Sequence, residues 1–225
     1  MTFHQNYLLW LNWSAKHFKG EENQENNKFT ENRLRQSLKI YSGTQAVSNF
    51  RPTAAKCIYE NYGGDGVTWD MSCGWGGRLL GALSSKRIKK YIGTEPSTKT
   101  FNGLEQIKKE FSYMNTEVEL HKLGSEVFRP KEKVDLCFTS PPYFDTEKYS
   151  DEDTQSYVKY PEEQKWIDGF LLLNIANTSS GKNIENAALD ISKGFGLTHE
   201  KTLQLTLSSV MGAGYKYEPI FVLKK

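Results

Sequence analysis

The rhythm of apolar positions changes near residue 67. Before that point Leu34, Leu38 and Tyr41 recur at helical spacing and predict a short helix over 32–41, stopped by Gly43. A second helix is predicted over 53–62, opened by Pro52 and closed by Gly63 and Gly64. From there on, short runs rich in β-branched and aromatic residues predict strands at 67–70, 91–95, 118–121, 134–139, 171–176, 202–207 and 219–223. Helix-like stretches fall between them at 77–85, 99–111, 161–170 and 184–193. In the second of these, Leu104, Ile107 and Phe111 share one face.

Strands alternating with helices predict an α/β fold: a mostly parallel seven-stranded sheet with helices on both faces. The last two strands have no helix between them. The glycine-containing segment SSVMGAGYKYE joins them like a hairpin, which predicts one antiparallel strand near the C-terminal end. Over Gln164–Asn174 a helix is predicted to run almost directly into the next strand, with no turn beyond Gly169. Residues 1–48 read as an N-terminal arm, an aromatic segment followed by the polar stretch KGEENQENNKFTEN, and 49–225 as the α/β domain.

Composition narrows the function classes. Over 225 residues, 37% hydrophobic and 25% charged positions describe a folded domain and not a disordered chain. Twenty-nine basic against 27 acidic residues neither announce nucleic-acid binding nor forbid it. Cys57, Cys73 and Cys137 form no CxxC pair and the four histidines are scattered, so neither a disulfide framework nor a metal site is expected. The longest apolar run, YLLWLNW, is broken by Asn12 and lacks a basic leader, so a cytoplasmic protein without membrane contact is expected.

In parallel sheets ligands sit outside the carboxyl ends of the strands, so the candidate chemistry is sought there. The first strand ends at Asp70 and runs into Met71-Ser72-Cys73-Gly74-Trp75-Gly76-Gly77-Arg78. Its glycines let the backbone approach a ligand closely, and a side chain at Gly76 is expected to intrude on that ligand's space. The spacing is neither GxGxxG nor GxxxxGK[ST], which disfavours dinucleotides and nucleoside triphosphates. The second strand ends at Glu95, followed by Pro96; an acid there can accept hydrogen bonds from ribose hydroxyls. A glycine turn and a ribose acid without a phosphate cradle suit a phosphate-free nucleoside, of which S-adenosylmethionine is the common one.

The fourth strand ends in Thr139-Ser140-Pro141-Pro142-Tyr143. Two prolines remove two N–H donors and leave carbonyls as the available backbone groups. The exocyclic amine of adenine or cytosine needs acceptors, because its lone pair is delocalised into the ring. Ser140 and the Pro141 carbonyl would localise that pair, and Tyr143 would stack on the base. Cys137, inside the strand, is expected in the core.

With these residues the chain resembles the amino-methyltransferases of DNA, enzymes that use S-adenosylmethionine to methylate cytosine N4 or adenine N6. Asp70–Arg78 is similar to their cofactor loop, Tyr91–Pro96 to the ribose-binding acid and Thr139–Tyr143 to the catalytic [DNS]PP[YFW] motif. Asn49-Phe50-Arg51-Pro52 resembles the upstream motif beside the cofactor's methionine part, and Gly124-Ser125-Glu126 the next cofactor-side strand end. The resemblance implies a Rossmann-like methyltransferase fold over 49–225. It implies Ser140, Pro141, Pro142 and Tyr143 as the catalytic set. It implies Phe50, Arg51, Pro52, Asp70, Ser72, Gly74, Trp75, Gly76, Glu95, Pro96 and Glu126 as the cofactor set. The partner it implies is DNA, either a duplex with a flipped base or a single strand, with cytosine N4 ahead of adenine N6. No segment reads as a separate recognition domain, which leaves that task open to a protein partner. An RNA or protein-amide methyltransferase, and a cofactor-binding accessory subunit, are the alternatives.

Overall fold

The computed structural model describes residues 49–141, 167–176, 183–207 and 216–225. The arm at 1–48 with its helix at 32–41, and Pro142 and Tyr143, lie outside the described residues. In chain order the elements are α1 (Pro52–Tyr62), β1 (Val67–Asp70), α2 (Gly77–Leu83), β2 (Lys90–Thr94), α3 (Thr98–Glu110), β3 (Glu117–His121), β4 (Val134–Thr139), β5 (Ile167–Asn174), α4 (Ile184–Gly194), β6 (Thr198–Leu207) and β7 (Lys216–Lys224).

The seven strands form one sheet in the order β3-β2-β1-β4-β5-β7-β6. The first five are parallel, and β7 runs antiparallel to both of its neighbours. From β1 the chain steps outward to β3 and then returns to β4 on the other side of β1. That reversal opens a crevice between the carboxyl ends of β1 and β4, the place where such sheets bind ligands.

Side chains alternate across the strands and bury two apolar layers. On one face Tyr91, Leu136, Phe138, Leu172 and Val222 meet Tyr59 of α1, Leu79 of α2 and Leu104 of α3. On the other Trp69, Ile92, Cys137, Leu171 and Phe221 pack with Ile184 of α4. Burial on both faces explains why β4 reads as an almost continuous apolar run. Cys137 is in this core, as expected, and burial pushes its thiol far above the ordinary range. Among the described residues no helix is long and apolar enough to cross a membrane.

One predicted element is corrected. Residues 167–170, assigned by pattern to a helix, are the first half of β5 and pair with β4 from Val134↔Ile167 onward. The short mixed segment Trp166-Ile167-Asp168-Gly169-Phe170 fits either period, and the strand is possible because Gly169 has no side chain. A Cβ at Gly169 would overlap the Asp135 carbonyl oxygen, at the position where the β4–β5 register shifts. The glycine therefore marks a close backbone approach and not a helix end. β6 also begins earlier than its polar start suggested, at Thr198, which pairs with Lys224 at the end of β7. Pro219 is accommodated inside β7 because the ladder to β5 begins only at Ile220, and the Asn174 amide donates to the Pro219 carbonyl at 3.0 Å.

Gly169→Ala is expected to lower stability by ~1–3 kcal/mol, because two backbones must separate to admit one methyl group. Urea unfolding midpoints of the two proteins measure it; equal midpoints would contradict the close approach.

Candidate active site

The crevice rests on a buried ion pair. Asp70, at the end of β1, has no exposed surface. Its Oδ2 accepts from the Arg78 Nε at 2.8 Å and the Tyr91 hydroxyl at 2.7 Å, and its Oδ1 from an Arg78 terminal nitrogen at 3.1 Å and the Ser72 amide at 3.2 Å. That terminal nitrogen also donates to the Ser72 carbonyl. The guanidinium lies over the rings of Phe50 at 5.7 Å and Phe138 at 5.8 Å, a favourable place for a cation stripped of water. Burial presses Arg78 toward neutrality, but the charge and hydrogen bonds of Asp70 reverse this and hold its pKa above the usual arginine value. Asp70 therefore supports the loop from below, its carboxylate oxygens taken up by Arg78, Tyr91 and Ser72.

Above this base the loop turns through two glycines of positive φ. Gly74 has φ 54°, and among the described residues a Cβ there would meet only the Ser72 carbonyl, at 4.0 Å. Gly76 has φ 81°, but its missing Cβ faces Ile107 at 2.7 Å and Leu104 at 3.1 Å on α3. The Cβ missing at Gly76 thus faces α3 and lets the loop pack there. Trp75, between them, is 51% exposed.

Glu95, one residue past β2, ties this loop to the next strand. Its carboxylate accepts the Gly74 amide at 3.1 Å and the Ser97 amide at 3.0 Å. Burial raises its pKa above the ordinary glutamate value, with both amide bonds opposing. The end of β4 closes the opposite wall. The Ser72 hydroxyl is 2.7 Å from the Thr139 hydroxyl and donates to the Ser140 carbonyl at 2.9 Å. Pro141 is buried and Ser140 half-buried.

The structure thus brings Asp70, Ser72, Gly74 and Glu95 together with Ser140. Phe50 joins them through Arg78, whereas Arg51 and Pro52 are exposed at the start of α1. Pro96 is half-buried before Ser97, and the Glu126 carboxylate folds back against Gly124. Three supporting residues lay inside the quoted motifs but were given no role of their own. Asn49 accepts the Gly77 amide at 3.2 Å and donates to the Trp75 carbonyl at 3.4 Å, so it caps α2 from outside the loop. Arg78 and Thr139 complete the set. An arginine directly after a glycine turn is a usable signal for a buried partner of Asp70. Asn49 carries no local signal, since its partners lie far along the chain.

Arg78→Met is expected to cost ~3–5 kcal/mol in urea unfolding, because Asp70 is left buried and unpaired. Arg78→Lys should recover only part, as lysine lacks the forked donor. Glu95 generates a pH effect of known sign. The folded state keeps its proton where the unfolded state has lost it, so this group's contribution to stability falls as pH rises from 4.5 through its raised value. In Glu95→Gln that decline should vanish from the stability–pH curve, and an unchanged slope would contradict the burial.

No protein-family model and no curated protein matches the chain. Solved structures do. Precorrin-6y C5,15-methyltransferase from Geobacter metallireducens aligns with TM-score 0.53 at 12% identity, covering 80% of this chain and 92% of its own. Magnesium protoporphyrin IX methyltransferase from Synechocystis, solved with bound S-adenosylmethionine, gives 0.52 at 15% identity over 88% and 93%. A putative RNA methyltransferase from Pyrococcus horikoshii gives 0.51 at 14% identity over 87% and 97%. At these identities the likeness is one of fold, and the fold is the Rossmann-like one of these methyltransferases.

Proposed function

We propose that the chain is an S-adenosylmethionine-dependent methyltransferase acting on an exocyclic amine of a DNA base, cytosine N4 ahead of adenine N6. The observation that carries the reading is the meeting of two loops. Ser72 of the glycine loop lies 2.9 Å from the Ser140 carbonyl, so the groups suited to a nucleoside and those suited to an amine share one crevice.

The residues fit the cofactor. The Gly74 backbone, uncrowded among the described residues, lies beside Glu95, whose carboxylate is half of a clamp that a ribose can join with its hydroxyls. When bound, S-adenosylmethionine supplies a methyl carbon on a cationic sulfur, which accepts a nitrogen lone pair as the carbon–sulfur electrons return to sulfur. The chain needs no nucleophile of its own; position and acceptor dipoles suffice. The Ser140 hydroxyl and the Pro141 carbonyl accept the N–H bonds of the amine and localise its lone pair. The surplus proton then leaves the nitrogen for solvent. A serine hydroxyl at this position, where a carboxylate or amide is the alternative, favours cytosine N4 by a small margin.

Methyl transfer from labelled cofactor to DNA, RNA and protein tests the reading, with nucleoside mass spectrometry of the DNA. N4-methylcytosine is expected. N6-methyladenine alone would reverse the choice of base, label only in RNA or protein would replace the substrate, and cofactor binding without any product would favour an accessory subunit. Ser140→Ala should keep its cofactor affinity while turnover falls ~100-fold.

A further inference from the structure

Ser72 is fixed more completely than a ligand-binding serine requires. Its amide is held by Asp70 at 3.2 Å and its carbonyl by Arg78, so both sides of the residue are anchored to the buried ion pair. Its hydroxyl points away from that pair, across the crevice to β4. Proton counting settles the direction of the two bonds there. The Ser140 carbonyl can only accept, so the single Ser72 hydroxyl proton goes to it, and Thr139 must donate to the Ser72 oxygen. The result is a directed chain from the Thr139 hydroxyl through the Ser72 hydroxyl to the Ser140 carbonyl, and each bond in such a chain polarises the next.

We propose that Ser72 is a positioning residue for the amine acceptors and not a cofactor ligand, an inference that rests on the function proposed above. By occupying the Ser140 carbonyl it fixes the rotation of the Ser140–Pro141 peptide, which sets where the Ser140 hydroxyl and the Pro141 carbonyl stand. The same bond makes the glycine loop and the amine-binding loop one unit. Whatever orders Ser72 through its neighbour Gly74 orders Ser140 as well, so cofactor binding prepares the amine site. Order of binding follows: the cofactor should tighten the grip on the base and the base the grip on the cofactor by the same factor.

Three measurements test this. In the unliganded protein, Ser72→Ala should speed exchange of the Ser140 amide by ~5-fold, because loss of the anchor on the Ser140 carbonyl lets the end of β4 fray. In the parent, S-adenosylmethionine should slow that exchange, and in Ser72→Ala it should not. In turnover, Ser72→Ala should lower kcat by roughly 10- to 100-fold, a misplacement effect, while calorimetric cofactor affinity changes less than ~3-fold. Ser72→Thr, which keeps the hydroxyl, should recover most of the kcat. Thr139→Val, which removes only the first link, should show a smaller loss in the same direction. A Ser72→Ala protein that loses cofactor affinity in proportion to kcat would overturn the proposal and make Ser72 a ligand. Unchanged exchange at Ser140 in the unliganded variant would also overturn it, whatever the chain methylates. A parent that binds cofactor yet modifies no DNA would instead overturn the proposed function and leave the exchange experiments to judge Ser72.

Discussion

Everything at the carboxyl edge of the sheet hangs on the contact between Asp70 and Arg78. A carboxylate with no exposed surface is tolerable only if its charge is matched and its lone pairs are filled, and here four donors fill them. The pair does little for net stability by comparison with an apolar replacement of the same volume. What it provides is direction. Aspartate at the end of β1 and arginine at the second position of α2 fix the two ends of the intervening loop, and the loop has few other ways to run. Phe50 and Phe138, over which the guanidinium lies, extend that constraint to the segment before α1 and to β4.

The glycines then divide the labour by the direction in which each lacks a side chain. Gly76 and Gly77 are packing positions: one faces α3 and the other lies under the Phe50 carbonyl. Gly74, among the described residues, has only the Ser72 carbonyl near the place of its missing Cβ, beside a carboxylate that burial keeps short of water. A cluster of glycines in a sequence thus covers two different demands. Only the structure shows which glycine faces a packed helix and which does not.

That distinction marks how far the sequence was legible. Strand period, glycine punctuation and the lack of a helix between β6 and β7 were enough for the sheet, its mixed direction and the edge where chemistry belongs. These are local signals, and β1 and β4 match their predicted bounds residue for residue. The misassignment of 167–170 came from a short mixed segment whose partner across the sheet, Asp135, cannot be seen locally. The site showed the same division. Ser72, Gly74, Glu95 and Ser140 were visible because residue type and strand end coincide. Asn49 and Thr139 act through partners at long sequence separation, whereas Arg78 reaches back only eight residues to Asp70 and leaves a local signal, an arginine directly after a glycine turn.

The place of β7 has a consequence for how the protein is made. It lies between β5 and β6, and in the strand order β6 touches the sheet only through it. A ribosome releases β1 to β4, and with them both loops of the crevice, well before β7 exists. During that interval β5 is an open edge with free amides and carbonyls, and β6 has nowhere to dock. The segment most exposed to mispairing during synthesis is therefore the apolar run Phe170-Leu171-Leu172-Leu173 of β5. In the finished protein Val222 and Phe221 cover it. A nascent chain stalled before β7 would carry an assembled crevice on an unfinished sheet, and its fate would be set by chaperone capture and not by chemistry.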